Sequence, residues 1–415
     1  MTSKKLWYLV QLSRRLWVRA SLIACLAILS ALLAPVLSPY IPDSLADRLG
    51  REAVLPLLDV LTGTMLTVVT FSLSVMVTAH LQAASQVTPR AHRMLKENTV
   101  TQTVLATFLG AFIFALTCAI LFRAHVYSPR GSVVVFAFTI LVVVLVVLSI
   151  LRWISQLADL GSMDETLRQI EARTRDTLQS HSTRPTLGAQ EMTGDLPEDG
   201  VPIRAVAGGY VRFIDSSALA KVTQERDCDI HLAIRPGDWV RRGQVLAVIG
   251  RGDTRLASAI LGAITLADER NFDQDPRYGL SLFGEVAARA LSPGLNDPAT
   301  AIDAIARLER LFLEHVNAGS DPEIDAQRLW MRSVTGAELL DAGFAVIARD
   351  GADKIEVTLR LMAALRAIAD NGDDTLAQGA RELALYAAAQ AEQAQVLEAD
   401  RARLQDAVAF ARDAG

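Results

Sequence analysis

The chain has 415 residues, 51% of them hydrophobic and 21% charged, so it is apolar for its length and has room for two or three folding units. Its net charge of −5 is unevenly split: 12 basic and 5 acidic residues precede position 151, whereas 29 basic and 41 acidic residues follow. An acidic distal part without a long Lys/Arg run excludes nucleic acid as a partner, since neutralising phosphates needs a concentrated basic surface. Cys25, Cys118 and Cys228 are too few and too scattered for a disulfide framework or a thiolate metal site.

In chain order, apolar stretches at about 20–41, 57–82, 100–122 and 131–151 each reach the roughly 20 residues that a helix needs to cross a bilayer core. Lys4, Lys5, Arg14, Arg15 and Arg19 precede the first; Arg90, Arg93 and Lys96 separate the second from the third; Arg152 follows the fourth. Positive-inside counting then predicts a multi-pass membrane protein, bathed in membrane lipid, with both termini cytoplasmic. A cleaved signal peptide over residues 1–34 is the weaker reading, because the apolar run is long and three more spans follow. Trp7, Trp17 and Trp153 fit anchors at the cytoplasmic interface, and Pro35, Pro39 and Pro42 mark the outer end of the first span.

The second span carries an unusual number of hydroxyls, "GTMLTVVTFSLSVMVTAHLQAASQ" over 63–86. At about 100° per residue, Asp59, Gly63, Thr67, Thr70, Ser74, Thr78 and Ser85 fall within an arc of about 100°, with Leu81 the apolar member near its centre. Small and hydroxylated residues let helices pack closely, and Ser/Thr can bond the preceding turn's carbonyls. The same stripe would line a permeation path for ions if copies of the helix surrounded an axis, with Leu81 as a hydrophobic constriction. Asp59 adds an intramembrane carboxylate, although it lies near the outer boundary; His80 projects away from the stripe.

After the spans, residues 159–180 read as an amphipathic helix and "HSTRPTLGAQEMTGDLPEDGVP" as a linker, which puts a domain boundary near 200. "IRAVAGGYVRFID", "CDIHLAI" and "RPGDWVRRGQVLAVIG" read as short strands between Gly and Pro-Gly-Asp turns. The last piece resembles the second half of a biotinyl/lipoyl-type barrel-sandwich hybrid. The stretch matching its cofactor-bearing hairpin, "TQERDCD", has no lysine, so a structural small β-barrel without cofactor is expected.

Beyond 255 the pattern is helical, with Asp-Pro helix starts at Asp275-Pro276, Asp297-Pro298 and Asp321-Pro322. In "ALSPGLNDPATAIDAIARLERL", Ser292, Gly294, Asn296, Asp297 and Pro298 form a turn between helices. Alternatively, Asp273, Asp275, Asn296 and Asp297 supply oxygens to a cation or polar ligand, without a ligand spacing that specifies a metal. From 335 to 412 apolar residues recur at helical spacing and predict an antiparallel bundle, in which the alanines at 387–389 allow tight helix packing or self-association. The expected architecture is thus a four-helix transmembrane domain (1–155), a helix and linker (156–200), a small β-barrel or sandwich-like domain (201–254) and an α-helical cytoplasmic bundle (255–415).

"FSLSVMVTAHLQAASQVTPR", "GGYVRFID", "RPGDWV", "ADERNFDQDPRYG", "ALSPGLNDPATAIDAI" and "LLDAGFAVIARDGA", in this order, resemble a bacterial family of membrane proteins catalogued as a domain of unknown function. The resemblance covers nearly the whole chain and implies architecture, with no activity. No nucleophile elbow, HExxH, P-loop or GxGxxG is present, and an enzyme is ranked last. The leading expectation is a homo-oligomeric channel or channel-like protein with the second span at its axis. The alternative is a membrane-anchored ligand sensor or protein scaffold in which the hydroxyls only pack.

Overall fold

The computed structural model describes residues 16–49, 51–86, 88, 90, 99–159, 163–250, 256–317 and 323–412. They belong to two compact units, Lys5–Glu165 and Thr166–Gly415.

The first unit is helical: α1 (Leu16–Leu37, running on as a 3-10 turn Ser38–Tyr40), α2 (Asp43–Arg48), α3 (Arg51–Gln86), α4 (Thr99–Arg123) and α5 (Pro129–Asp159). Four stretches, Trp17–Tyr40, Glu52–Thr78, Thr103–Arg123 and Pro129–Ser155, are long and apolar enough to cross a membrane. Helix α4 is the hub, packing against α1, α3 and α5. Its span is 61% buried, against 17% for that of α3, so α4 is the interior helix and α3 is peripheral. Phe108, Phe114 and Cys118 of α4 meet Leu58 and Met65 of α3 and Val142 and Val146 of α5 in one core. Close approach of α1 depends on Gly110, where an added Cβ would lie 2.6 Å from the Ile23 Cβ. The Lys/Arg residues before 16, Arg93 and Lys96 lie outside the described residues, as does Trp7.

At the start of the second unit, α6 (Met163–Thr183) buries Leu167, Ile170 and Leu178 on one face. The segment expected to be a linker supplies β1 (Ala189–Glu191), because it pairs in parallel with a distant strand, β8 (Ala326–Met331). The remaining strands are β2 (Val201–Arg204), β3 (Gly209–Ile214), β4 (Ile230–Leu232), β5 (Trp239–Val240), β6 (Val245–Ile249) and β7 (Ile264–Ala267). They form a five-stranded sheet in the order β1-β8-β4-β6-β2 and a three-stranded sheet β5-β3-β7. Ile203, Ile230, Leu246 and Leu329 of the first sheet share a core with Val211, Ile214 and Val240 of the second, a sandwich-like arrangement. Two helices interrupt the strands: α7 (Ser216–Arg226), capped by the Asp215 carboxylate on the Ala218 amide, and α8 (Ala257–Ala263). "TQERDCD" is therefore the last turn of α7 and the link that leads into β4, where a hairpin between strands was expected.

The helical part comprises α9 (Pro276–Ala290), α10 (Pro298–Asn317), α11 (Gly336–Asp350), α12 (Ile355–Asn371), α13 (Asp374–Ala394) and α14 (Glu398–Arg412). Two of the three Asp-Pro pairs begin helices as expected. Asp321-Pro322 lies outside the described residues, and the next element along the chain is β8, whose alternating burial is that of a strand pairing on both sides. In the bundle Phe312 stacks on Phe344 with centroids 5.7 Å apart, and Phe283, Leu361 and Leu365 are likewise fully buried. Of the two roles expected for the alanines at 387–389, Ala387 and Ala388 take that of tight packing: both are buried where α13 packs against α11, α12 and α14. The expected boundaries at 200 and 254 fall inside the second unit, where β1 and β8 join one sheet from either side of them.

Candidate functional site

On α3, the residues facing the other spans are Val54, Leu58, Leu61, Met65 and Ser72, all buried. Asp59, Gly63, Thr67, Thr70, Ser74 and Thr78 are exposed, as is Leu81. At about 100° per residue the centre of the hydroxyl stripe is diametrically opposite Val54 and Ser72. The stripe is therefore turned directly away from the chain's other spans. Leu66, Leu73 and Val77 flank it on one side, Val60 and Phe71 on the other, all exposed. The side chains of Ser85 and His80 lie outside the described residues.

Backbone bonding accounts for part of the stripe. Thr70 Oγ1 donates to the Thr67 carbonyl at 3.0 Å and Thr78 Oγ1 to the Ser74 carbonyl at 3.1 Å. Such bonds use the hydroxyl proton and leave the oxygen's lone pairs directed outward, able to accept or to solvate a cation. Asp59 is paired: Arg123 at the end of α4 reaches its Oδ1 at 3.3 Å, so the carboxylate is not an isolated charge on the stripe. Ser72, on the opposite face, is 1% exposed, and its hydroxyl has no hydrogen-bond partner among the described residues.

The acidic corner does not assemble. Asp275 caps the start of α9, accepting from the Arg277 amide, whereas Ser292, Gly294, Asn296, Asp297 and Pro298 follow its other end. Fifteen residues of helix separate them by roughly 22 Å at 1.5 Å per residue. Asp297 accepts from the amide and hydroxyl of Thr300, bonds that hold its pKa below the usual carboxylate value, and Asn296 adopts a left-handed turn at φ 47°. Asp273 sits in a local loop with Asn271. These residues make helix caps and turns, and no group of three or more His, Cys, Asp or Glu suited to a metal occurs among the described residues.

What the fold does bring together is a charged junction between two of the motifs, "RPGDWV" and "FDQDPRYG". Asp275 is 2% exposed and accepts from Arg270 Nε at 2.6 Å. Arg277 Nη2 donates to the Pro236 carbonyl at 2.9 Å and to Asp238 Oδ1 at 2.8 Å. Arg235 forms a two-pronged pair with Glu338 at 2.6 and 2.8 Å and donates to the Ser333 carbonyl. Glu338 also completes a capping box with Thr335 at the start of α11. Burial raises the Glu338 pKa, but the Arg235 hydrogen bond, the Thr335 amide and the charges of Arg235 and Arg277 outweigh it and bring the carboxyl to about 2. At Gly237, φ is +87° and a Cβ would collide with the Asp275 carboxylate, which requires glycine there. Each motif is legible as a turn or cap, but their pairing across about 40 positions is not, because one sequence carries no contact information.

The chain spans 91% of its length at 26% identity with an uncharacterised protein of Mycobacterium tuberculosis, Rv1290c, of which 76% is covered. An uncharacterised protein of Mycobacterium bovis, Mb1321c, matches with the same identity and coverage. No solved structure matches. Residues 13–367 match the family described as "Predicted membrane protein (DUF2254)", and with four apolar helices in the matched segment the chain belongs to that family of membrane proteins.

Proposed function

We propose that the protein is a homo-oligomeric inner-membrane channel in which copies of α3 surround a shared axis and the second unit, on the cytoplasmic side, assembles or gates it. The observation that carries this reading is the direction of the stripe: Thr67, Thr70, Ser74 and Thr78 point opposite to the face that α3 spends on its own subunit. Four hydroxyl residues in line on an outward face are a poor match for acyl chains, and enclosure by sister copies gives them water or ions instead. Leu81, 69% exposed at the inner end of the same arc, would form an apolar constriction.

The reading predicts ion currents from the purified protein in planar bilayers, with altered conductance in Thr70→Leu and Ser74→Leu. No current, or one indifferent to both substitutions, would leave the protein a membrane-anchored sensor or scaffold. That second reading draws on the cleft beside His181 in the second unit, which has the lining of a small-ligand site.

A further inference from the structure

Two turns of the second unit meet at one corner of the sandwich. Residues 205–208 lead from β2 into β3, and residues 241–244 lead from β5 into β6. The Gly243 amide donates to the Ala205 carbonyl and the Ala205 amide to the Gln244 carbonyl, both at 2.9 Å, so the turns lie side by side. Strand β5 is the edge of its sheet; Val240 is buried there, and Trp239 and Arg241 on either side of it are exposed. Trp239 is held by an edge-on contact with Tyr210, centroids 4.8 Å apart, yet is 54% exposed. Val206, in the other turn, is 69% exposed. Scattered exposed apolar residues are ordinary, so these two carry weight only through what surrounds them.

Arginines surround them. Arg204, Arg241 and Arg242 are all exposed, and none is paired with a carboxylate among the described residues. Arg204 Nη1 donates to the Gly243 carbonyl at 3.0 Å, which draws it to the same corner. The carboxylates of the adjoining strands are engaged or lie to the other side: Asp238 faces Arg277 and Arg235, and Asp268 and Glu269 follow β7, which flanks β3 on the side away from β5. Acidic residues outnumber basic ones 41 to 29 beyond position 150, so a corner with three unpaired arginines runs against the charge of its surroundings.

We propose that this corner docks on anionic phospholipid headgroups of the bilayer that holds the chain, the three arginines meeting phosphates while Trp239 and Val206 enter the interfacial layer. Guanidinium forks match phosphate oxygens, and an indole suits the boundary where one side is wet and the other apolar. The patch is too small for a nucleic acid, which needs a longer basic surface. An acidic protein would meet the arginines but gives an apolar tip no matching layer. Each arginine near an anionic surface strengthens association about fivefold, so the contact is reversible and weakens in salt. The inference is independent of conduction: the corner can dock in a protein that passes no ions.

The test uses the full-length protein in nanodiscs of phosphatidylcholine, with or without phosphatidylglycerol, doped with lipid that carries a nitroxide just below the headgroup. The emission of Trp239 is isolated as the difference between wild type and Trp239→Phe. Expected is loss of that emission in the phosphatidylglycerol discs, recovery in high salt, and little loss in phosphatidylcholine alone. Arg241 and Arg242 are exposed and unpaired, so Arg241→Gln/Arg242→Gln keeps the fold and should restore the emission in phosphatidylglycerol. Trp239 unquenched in both lipids, or quenched equally in both and in the double variant, overturns the proposal. A blue-shifted but unquenched Trp239 would mean that protein covers the corner, which overturns it as well.

Discussion

Single residues show where chemistry and packing part company. Ser72 buries a hydroxyl on the packing face of α3 without a partner among the described residues, and an unmade bond of this kind costs about 1–3 kcal/mol. Ser72→Ala is therefore expected to leave the membrane unit as stable or up to about 1 kcal/mol more stable, read as a thermal midpoint in detergent. Gly237→Ala has the opposite sign. An alanine pays about 1–2 kcal/mol for a left-handed backbone and also displaces the buried Asp275 carboxylate, so a clear drop in the second unit's unfolding midpoint is expected. His181 gives a pH signature. Its pKa is depressed in the fold, so between about pH 6.5 and about pH 4 the unfolded chain binds the extra proton. The stability from burying the neutral ring is complete above pH 6.5 and is lost as pH falls through that window, by about 3 kcal/mol at the acid end. His181→Phe should flatten this part of the stability profile in chloride buffer. Glu338, held at about 2, contributes stability that is complete above its ordinary 4.5 and disappears only below that, so the two groups are separable by pH.

Among the elements, legibility in the sequence depends on how local the cause of each one is. The four spans need only length and composition, and α9 and α10 begin where Asp and Pro stand in cap and first-turn positions. The tail helices follow from apolar spacing. By contrast, β1 is three residues in a turn-rich stretch and exists because β8, more than a hundred positions away, offers it a parallel edge. Helix α7 escapes a reading by pattern because "SSALAKVTQER" is short and lies between strands; Asp215 as N-cap is the available sign. The arc on α3 is readable from periodicity alone, but the way it points is not. That depends on α4 being the interior helix, a packing fact set by Phe108, Ala111, Phe114, Ala115 and Cys118 meeting three neighbours. The charged junction stays hidden for the same reason as β1: Arg235, Asp238, Asp275, Arg277 and Glu338 are separately ordinary turn and cap residues.

For the whole molecule, the described spans leave one wall of α3 without cover from its own chain, and the proposed function amounts to a statement about what covers it. Lipid and sister copies differ in a way that water-soluble reagents can read. The direct measurement is thiol accessibility along α3 in native membranes, with Cys25, Cys118 and Cys228 replaced by serine and single cysteines introduced at 67, 70, 74 and 78 and, as a control, at Leu73. Enclosure around an aqueous axis predicts that a charged, membrane-impermeant methanethiosulfonate modifies the four stripe positions and spares Leu73→Cys; stripe cysteines as unreactive as the control would place that wall against lipid and contradict the channel.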